Sequence, residues 1–295
     1  MIRPSFHARA RLLARIASLA LVSLLFTSSL KGQSAPQTPA LNGIAHIAIR
    51  VHSLDASRDF YKKLGFDEAF ALSKNGAVYQ SFIKLNDRQF IELYPTTAKD
   101  PEVGFLHLCF ESDNLQAVYD DYIARGVTPN FKIRKAGAGN LLFTMKGPMQ
   151  ADQPQNIEYT QYMPGSRHYD DRGQHLGADR VGTKLVSVTL AMQDPAAARA
   201  FYLDKLKFTP DARWHNFLDL PGVSGEMVEI VPVARLGAKS DILLTSPDIR
   251  KTGELLHSAG IEFTDGDTLT VTDPDGNLIH IVPQQDASAP NNMRP

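Results

Sequence analysis

The stretch "IAHIAIRVHSLDASRDFYKKLGF", residues 44–66, changes hydrophobic period partway along. Its first part is rich in β-branched residues and alternates as a strand does, with Ile47, Ile49 and Val51 on one face and His46, Ala48 and Arg50 on the other. From Ser53, a residue suited to cap a helix, the pattern becomes amphipathic with Phe60-Tyr61 inside it, and it ends at Phe66, where the next strand begins. The same sentence is written again at an offset near 141, as "LVSVTLAMQDPAAARAFYLDKLKF", residues 185–208. There Asp194 takes the cap position, Pro195 the first helical position, where its missing N–H costs little, and Phe201-Tyr202 the aromatic pair.

A second pair follows the same plan. "FLHLCFESDNLQAVYDDYIARGV" (105–127) and "KSDILLTSPDIRKTGELLHSAGI" (239–261) each read as a strand followed by a helix that stops at a glycine, Gly126 or Gly260, suited to the left-handed position after a helix. Short strands with turn signals such as "SKNG", "KAGAGN" and "TDPDGN" come after each helix. The chain past Gln33 is therefore expected to be one unit, strand–helix–three strands, written four times: modules at about 42–96, 103–163, 183–233 and 238–284. Residues 164–182, rich in Gly, His and charge, are expected to form a solvated linker, and the tail 285–295 to be disordered.

Composition narrows the function classes. With 43% apolar and 21% charged residues the chain is of the soluble globular type, and a formal net charge of −1 gives no electrostatic footprint for nucleic acid or anionic membrane. The single cysteine, Cys109, excludes an intrachain disulfide and thiolate-rich zinc sites. At the N-terminus, Arg3, Arg9, Arg11 and Arg15 precede the apolar run Ile16–Phe26, which is too short to span a bilayer and suits the core of a signal peptide over residues 1–35. The mature protein is expected to be secreted or periplasmic, with no membrane attachment. No adjacent arginine pair and no cysteine near residues 25–40 point to a twin-arginine or lipoprotein route.

Strand parity then collects the chemistry. In the first half, each of four strands offers one strong metal-ligand type at the middle of its non-helix face: His46, Glu92, His107 and Glu158. Burying two carboxylates without partners would cost several kcal/mol each, roughly. A divalent cation resolves that cost, and a nitrogen–oxygen donor set without thiolate suits Ni, Zn, Mn, Co or Fe(II). By the same parity Arg50, Tyr94 and Cys109 are expected to line the cleft. In the second half the matching positions are Ser187, Glu229, Asp241 and His280, a poorer set expected to be degenerate.

The fourfold unit, together with "LDASRDFYKKLGF", "FIELYP" and "DPDGNLIHIVP", resembles the vicinal oxygen chelate superfamily, which includes glyoxalase I, methylmalonyl-CoA epimerase, extradiol dioxygenases and bleomycin-resistance proteins. The resemblance covers residues 42–163 and 183–284. It implies an α+β fold in which four βαβββ modules pair into two cupped mixed-sheet halves, the first (42–163) holding the metal and the second (183–284) degenerate. It further implies His46, Glu92, His107 and Glu158 as metal ligands, with Glu158 first and Glu92 second as the catalytic base. Ring-cleaving members carry a histidine at the position of Glu92 and a tyrosine about ten residues before the last glutamate; this chain has no tyrosine between Lys135 and Glu158. Three functions are therefore compared: a metal-dependent isomerase, epimerase or lyase acting on a small substrate chelated through adjacent oxygens; a non-haem Fe(II) dioxygenase; and a non-catalytic binding protein of the bleomycin-resistance type.

Overall fold

The computed structural model of the chain describes residues 38–284 apart from Arg213 and Ser224; the expected signal peptide and the C-terminal tail lie outside the described residues. Among the described residues no helix is long and apolar enough to cross a membrane.

The first module opens with β1 (Gly43–Val51), continues through α1 (Leu54–Lys63), and closes with β2 (Glu68–Lys74), β3 (Ala77–Lys84) and β4 (Phe90–Pro95). The second runs β5 (Gly104–Glu111), α2 (Leu115–Ala124), β6 (Arg134–Lys135), β7 (Leu141–Met149) and β8 (Pro154–Gln161). The caps read from sequence are present: Ser53 Oγ accepts from Ala56 N–H at 3.3 Å, Asp194 Oδ1 from Ala197 N–H at 3.0 Å, and Gly126 and Gly260 adopt φ of +74° and +67°.

These strands form one mixed sheet in the order β2-β3-β4-β1-β5-β8-β7-β6. β1 and β5, the first strands of the two modules, lie antiparallel at its centre, and each pairs in parallel with the last strand of its own module, β4 or β8. After the short helix α3 (Arg167–Asp170), the plan repeats. β9 (Lys184–Met192), α4 (Pro195–Asp204), β10 (Thr209–Pro210), β11 (Phe217–Asp219) and β12 (Met227–Pro232) are followed by α5 (Val233–Leu236), β13 (Asp241–Ser246), α6 (Ile249–Ser258), β14 (Phe263–Thr264), β15 (Leu269–Thr272) and β16 (Leu278–Pro283). The second sheet has the matching order β10-β11-β12-β9-β13-β16-β15-β14. The α+β architecture of four βαβββ modules paired into two mixed sheets is thus as expected from sequence.

The helix faces of the two sheets share one hydrophobic core, in which Ile47, Ile49, Leu93 and Leu108 of the first half join Val188, Leu190, Ile242 and Ile281 of the second. Helices of one half reach across to the other: Tyr61 on α1 donates to Asp273, and Tyr202 on α4 to Gln155. This frees the opposite face of the first sheet to build a cleft.

Residues 164–182 differ from the expected solvated linker. His168 and Asp171 are buried, and Asp171 pairs through Oδ2 with Lys84 Nζ at 2.8 Å, a lysine with no exposed surface. Arg167 N–H donates to Ala138 O at 2.8 Å. A buried ammonium requires a fixed carboxylate, and that requirement folds the crossover back onto the first half.

Candidate metal centre

Sheet register explains how four distant residues meet. Across the non-helix face, Phe90, His46, Cys109 and Glu158 occupy one row, and Glu92, Ala48, His107 and Asn156 the next. The donors alternate between rows, with the small side chains Ala48 and Cys109 separating them. Strands lie about 4.8 Å apart, so the space above Ala48 and Cys109 is open to the longer chains on either side.

All four expected residues converge. His46 Nε2 lies 3.2 Å from His107 Nε2, 3.5 Å from Glu158 Oε1 and 3.4 Å from Glu92 Oε1. His107 Nε2 is 3.9 Å from Glu158 Oε2 and 4.0 Å from Glu92 Oε2. His46, His107 and Glu158 form the compact trio whose donor atoms all lie within 4.8 Å of one another. Ligands held at about 2.1 Å on one ion sit about 3.0–3.4 Å apart, between the octahedral and tetrahedral limits, so the spacings around His46 suit a shared cation.

Electrostatics agree with that fit. Burial depresses the pKa of His46 well below 6.5, with His107 adding to the effect, and burial brings His107 down to about 4, so both imidazoles are neutral and their lone pairs free near pH 7. Burial and the neighbouring Glu158 raise Glu92 well above the ordinary carboxylate range, and burial raises Glu158 to about 7. Neutral nitrogen donors beside strained carboxylates are a site that a dication would relieve.

Gln80 and Tyr162 escaped the parity reading, while Tyr94 and Cys109 stand where it placed them. Tyr162 Oη meets His46 Nδ1 at 3.2 Å; in the tautomer that leaves Nε2 free to coordinate, Nδ1–H donates to it and fixes the ring. Gln80 Nε2 donates to Glu92 Oε2 at 2.7 Å, and Tyr94 Oη donates to the same oxygen at 3.1 Å. Both Gln80 and Tyr162 continue the alternation of their strands, Gln80 two residues before Phe82 on β3 and Tyr162 four after Glu158, one residue past the end of β8. Cys109 is buried with its Sγ 3.5 Å from Glu158 Oε1, and burial raises the thiol pKa, which makes it a spacer of the site rather than a nucleophile.

A cleft of about 460 Å³ opens over the site, lined among others by Glu92, Glu158, Gln80, Tyr94, Asn140 and His168. Arg50 is not there: it lines a separate cavity beside Glu102 and Lys239 and pairs with Asp100 at 3.6 Å. The alternation of β1 itself holds, with Ile49 and Val51 in the core and an unbroken register against β4; the register shift falls on β5, where Leu106 is the extra residue, and Arg50 lies four residues, roughly 13 Å, along the strand from His46.

The second half carries a different solution at the matching positions. Arg235 Nη1 pairs with Glu229 Oε1 at 2.7 Å and Thr189 Oγ1 donates to Glu229 Oε2 at 2.9 Å, while His280 Nε2 lies 3.3 Å from Asp241 Oδ1. Ser187 Oγ is buried without a partner among the described residues. A guanidinium supplies the positive charge that Glu229 needs, and the four residues do not form a donor cluster.

The sequence matches no curated protein. Among solved structures it is similar to the Mn(II)-bound glyoxalase from Novosphingobium aromaticivorans (14% identity, 83% of this chain and 82% of that one, TM-score 0.63). It is also similar to the 2,3-dioxygenase LapB from Pseudomonas sp. KL28 (14% identity, 86% and 96%, TM-score 0.59) and to an extradiol ring-cleaving dioxygenase from B. fuscum (16% identity, 86% and 76%, TM-score 0.59). At these identities the likeness is one of fold. The family profile reaches further, matching residues 43–151 and 184–281 in both halves, and by that match the chain belongs to the Glyoxalase/Bleomycin resistance protein/Dioxygenase superfamily.

Proposed function

We propose that the chain is a metal-dependent isomerase, epimerase or lyase of the glyoxalase kind, acting on a small substrate chelated through adjacent oxygens. His46, His107 and Glu158 would hold the divalent cation, with Glu92 completing the set or standing beside it. When bound, such a cation stabilises negative charge on chelated oxygens. The observation that carries the reading is the posture of Glu92. Gln80 and Tyr94 both donate to its Oε2, so that Oε1 is the oxygen turned toward His46 Nε2. A carboxyl fixed through one oxygen and free at the other, with a pKa raised by burial, is suited to take and return a proton at the substrate carbon. This posture favours Glu92 over Glu158 as the proton carrier, with Glu158 kept as a ligand. Tyr162 orients His46, and the buried cleft floor limits access of water.

Purified protein should contain Mn, Ni, Zn or Co, or bind one when supplied, and should show no catechol-dependent oxygen uptake. A second reading, an Fe(II) extradiol-type dioxygenase, is favoured by the compactness of the His46/His107/Glu158 trio without Glu92. Bound Fe(II) with robust oxygen consumption on a catechol would decide for it, and failure to bind any metal would decide for a non-catalytic binding protein. We also propose export, from the basic and apolar pattern before residue 35. N-terminal sequencing of protein from periplasm or medium should start between about residues 28 and 40, and an intact Met1 on soluble cytosolic protein would refute it.

A further inference from the structure

Two residues that line the metal-centre cleft carry three buried side-chain atoms with no hydrogen-bond partner among the described residues: both ring nitrogens of His168 and Oδ1 of Asn140. His168 is 1% exposed and Asn140 3% exposed. The His168 ring is held by packing alone. It stacks on Tyr162 with centroids 4.3 Å apart and planes at 12°, and meets Phe70, Phe82 and Phe90 edge-on at 5.0, 5.1 and 5.0 Å. Burial depresses its pKa to about 3, so the ring is neutral and offers one N–H and one lone pair.

The orientation of Asn140 is fixed by its neighbours. Thr160 Oγ1 donates its proton to Leu141 O at 2.9 Å, so Asn140 must present its amide nitrogen to Thr160, at 2.7 Å. That leaves Oδ1 as a pure acceptor. The segments carrying the two residues are tied together, since Arg167 N–H donates to Ala138 O and Ala136 N–H to Asn140 O, each at 2.8 Å. An unsatisfied buried donor or acceptor costs about 1–3 kcal/mol, and native proteins keep few of them. Two such side chains on one wall, in the cleft that also exposes Glu92 and Glu158, imply that a ligand of that cleft completes them.

We propose that Asn140 and His168 form the specificity end of the cleft and recognise a hydroxyl group that the substrate carries in addition to its chelating oxygens. A hydroxyl donates to Asn140 Oδ1 and exchanges a hydrogen bond with His168. A carboxylate has no proton to offer Asn140, and a hydrocarbon leaves all three atoms unpaired. The inference deepens the metal-dependent reading and rests on it. It also gives the crossover between the halves a direct part in ligand binding, because His168 lies on α3.

The test uses full-length mature protein loaded with Mn(II), titrated calorimetrically with glycolate, glycerate and gluconate. These share an α-hydroxycarboxylate head and differ in further hydroxyls. A hydroxylated member should bind wild type at least about tenfold more tightly than glycolate. In His168→Phe, which fills the aromatic cage without nitrogens, that increment should vanish while Mn(II) and glycolate affinities stay unchanged. Its melting temperature should equal or exceed wild type, since two orphaned atoms are removed. His168→Gln, which restores a donor and an acceptor, should recover part of the increment and serves as the second variant if His168→Phe folds poorly. Equal affinity for all three acids in wild type, an increment that persists in folded His168→Phe, or no recovery of it in His168→Gln, would overturn the proposal. Wild type that binds no Mn(II) would overturn the metal reading beneath it, a result distinguishable from the other two.

Discussion

Replacing Glu158 by glutamine should stabilise the metal-free protein at pH 8 and leave it unchanged at pH 4. The carboxyl is buried against Cys109, and burial raises its pKa from 4.5 to about 7. Below the unfolded-state value both states hold the proton, and the group contributes nothing to the pH dependence. As pH rises from about 4.5 to about 7 the unfolded chain loses its proton and the folded one keeps it, so stability falls, and above about 7 the full penalty is present. At 1.36 kcal/mol per pKa unit that penalty is about 3 kcal/mol. Glutamine keeps the shape without the charge and also relieves Glu92, whose pKa Glu158 helps to raise. For a domain of this size the gain should appear as a rise of roughly 6–12 °C in melting temperature at pH 8. The assay is thermal unfolding in EDTA from pH 4 to 8, repeated with Mn(II). With metal the order should reverse at a free concentration one thousand times Kd, where the wild type gains about 4.1 kcal/mol, more than the penalty, and the variant lacks that ligand. A Glu158→Gln protein that melts at or below wild type in EDTA at pH 8, or a difference independent of pH, would refute the reasoning.

The two halves should respond oppositely to loss of a matching residue: His46→Ala should strip the metal, and His280→Ala should leave metal content near wild type, both read by elemental analysis of dialysed protein. Metal lost only from the second-half variant would reverse the assignment. Glu92→Gln should keep the Gln80 and Tyr94 side of the cleft shaped while lowering turnover by about 10²–10⁴-fold, measured on whichever substrate the metal-loaded protein converts. A Glu92→Gln enzyme with unchanged kcat would place the proton carrier elsewhere.

The strand–helix repeat was legible because each module states its two periods cleanly, and parity within β1, β4, β5 and β8 brought the four donor residues to one face before any coordinates. Parity set Arg50 on the face of His46 but not its distance along the strand, and four residues on, roughly 13 Å, it opens into a neighbouring cavity. The crossover was misread for a different reason. Its four-residue helix is too short to show a period, and its burial is dictated by partners far away in sequence, Lys84 and the Phe70, Phe82 and Phe90 cage. Composition alone, rich in charge and glycine, reads as solvent-facing. Arg235 was likewise invisible as the occupant of the degenerate half, since it follows β12 and folds back on Glu229.

The central β1–β5 pairing divides the donor set evenly: His46 and Glu92 come from one module, His107 and Glu158 from the next. Each βαβββ unit is therefore a half-site, too poor in ligands to retain a cation by itself. Cation affinity becomes a property of docking between the units, and the free energy of coordination adds directly to the strength of their seam. A chain nicked in the 97–102 loop would behave as a pair of complementing fragments whose reassociation is set by the concentration of the ion. On this view the proposed metal site and the pairing of the two modules stand or fall together.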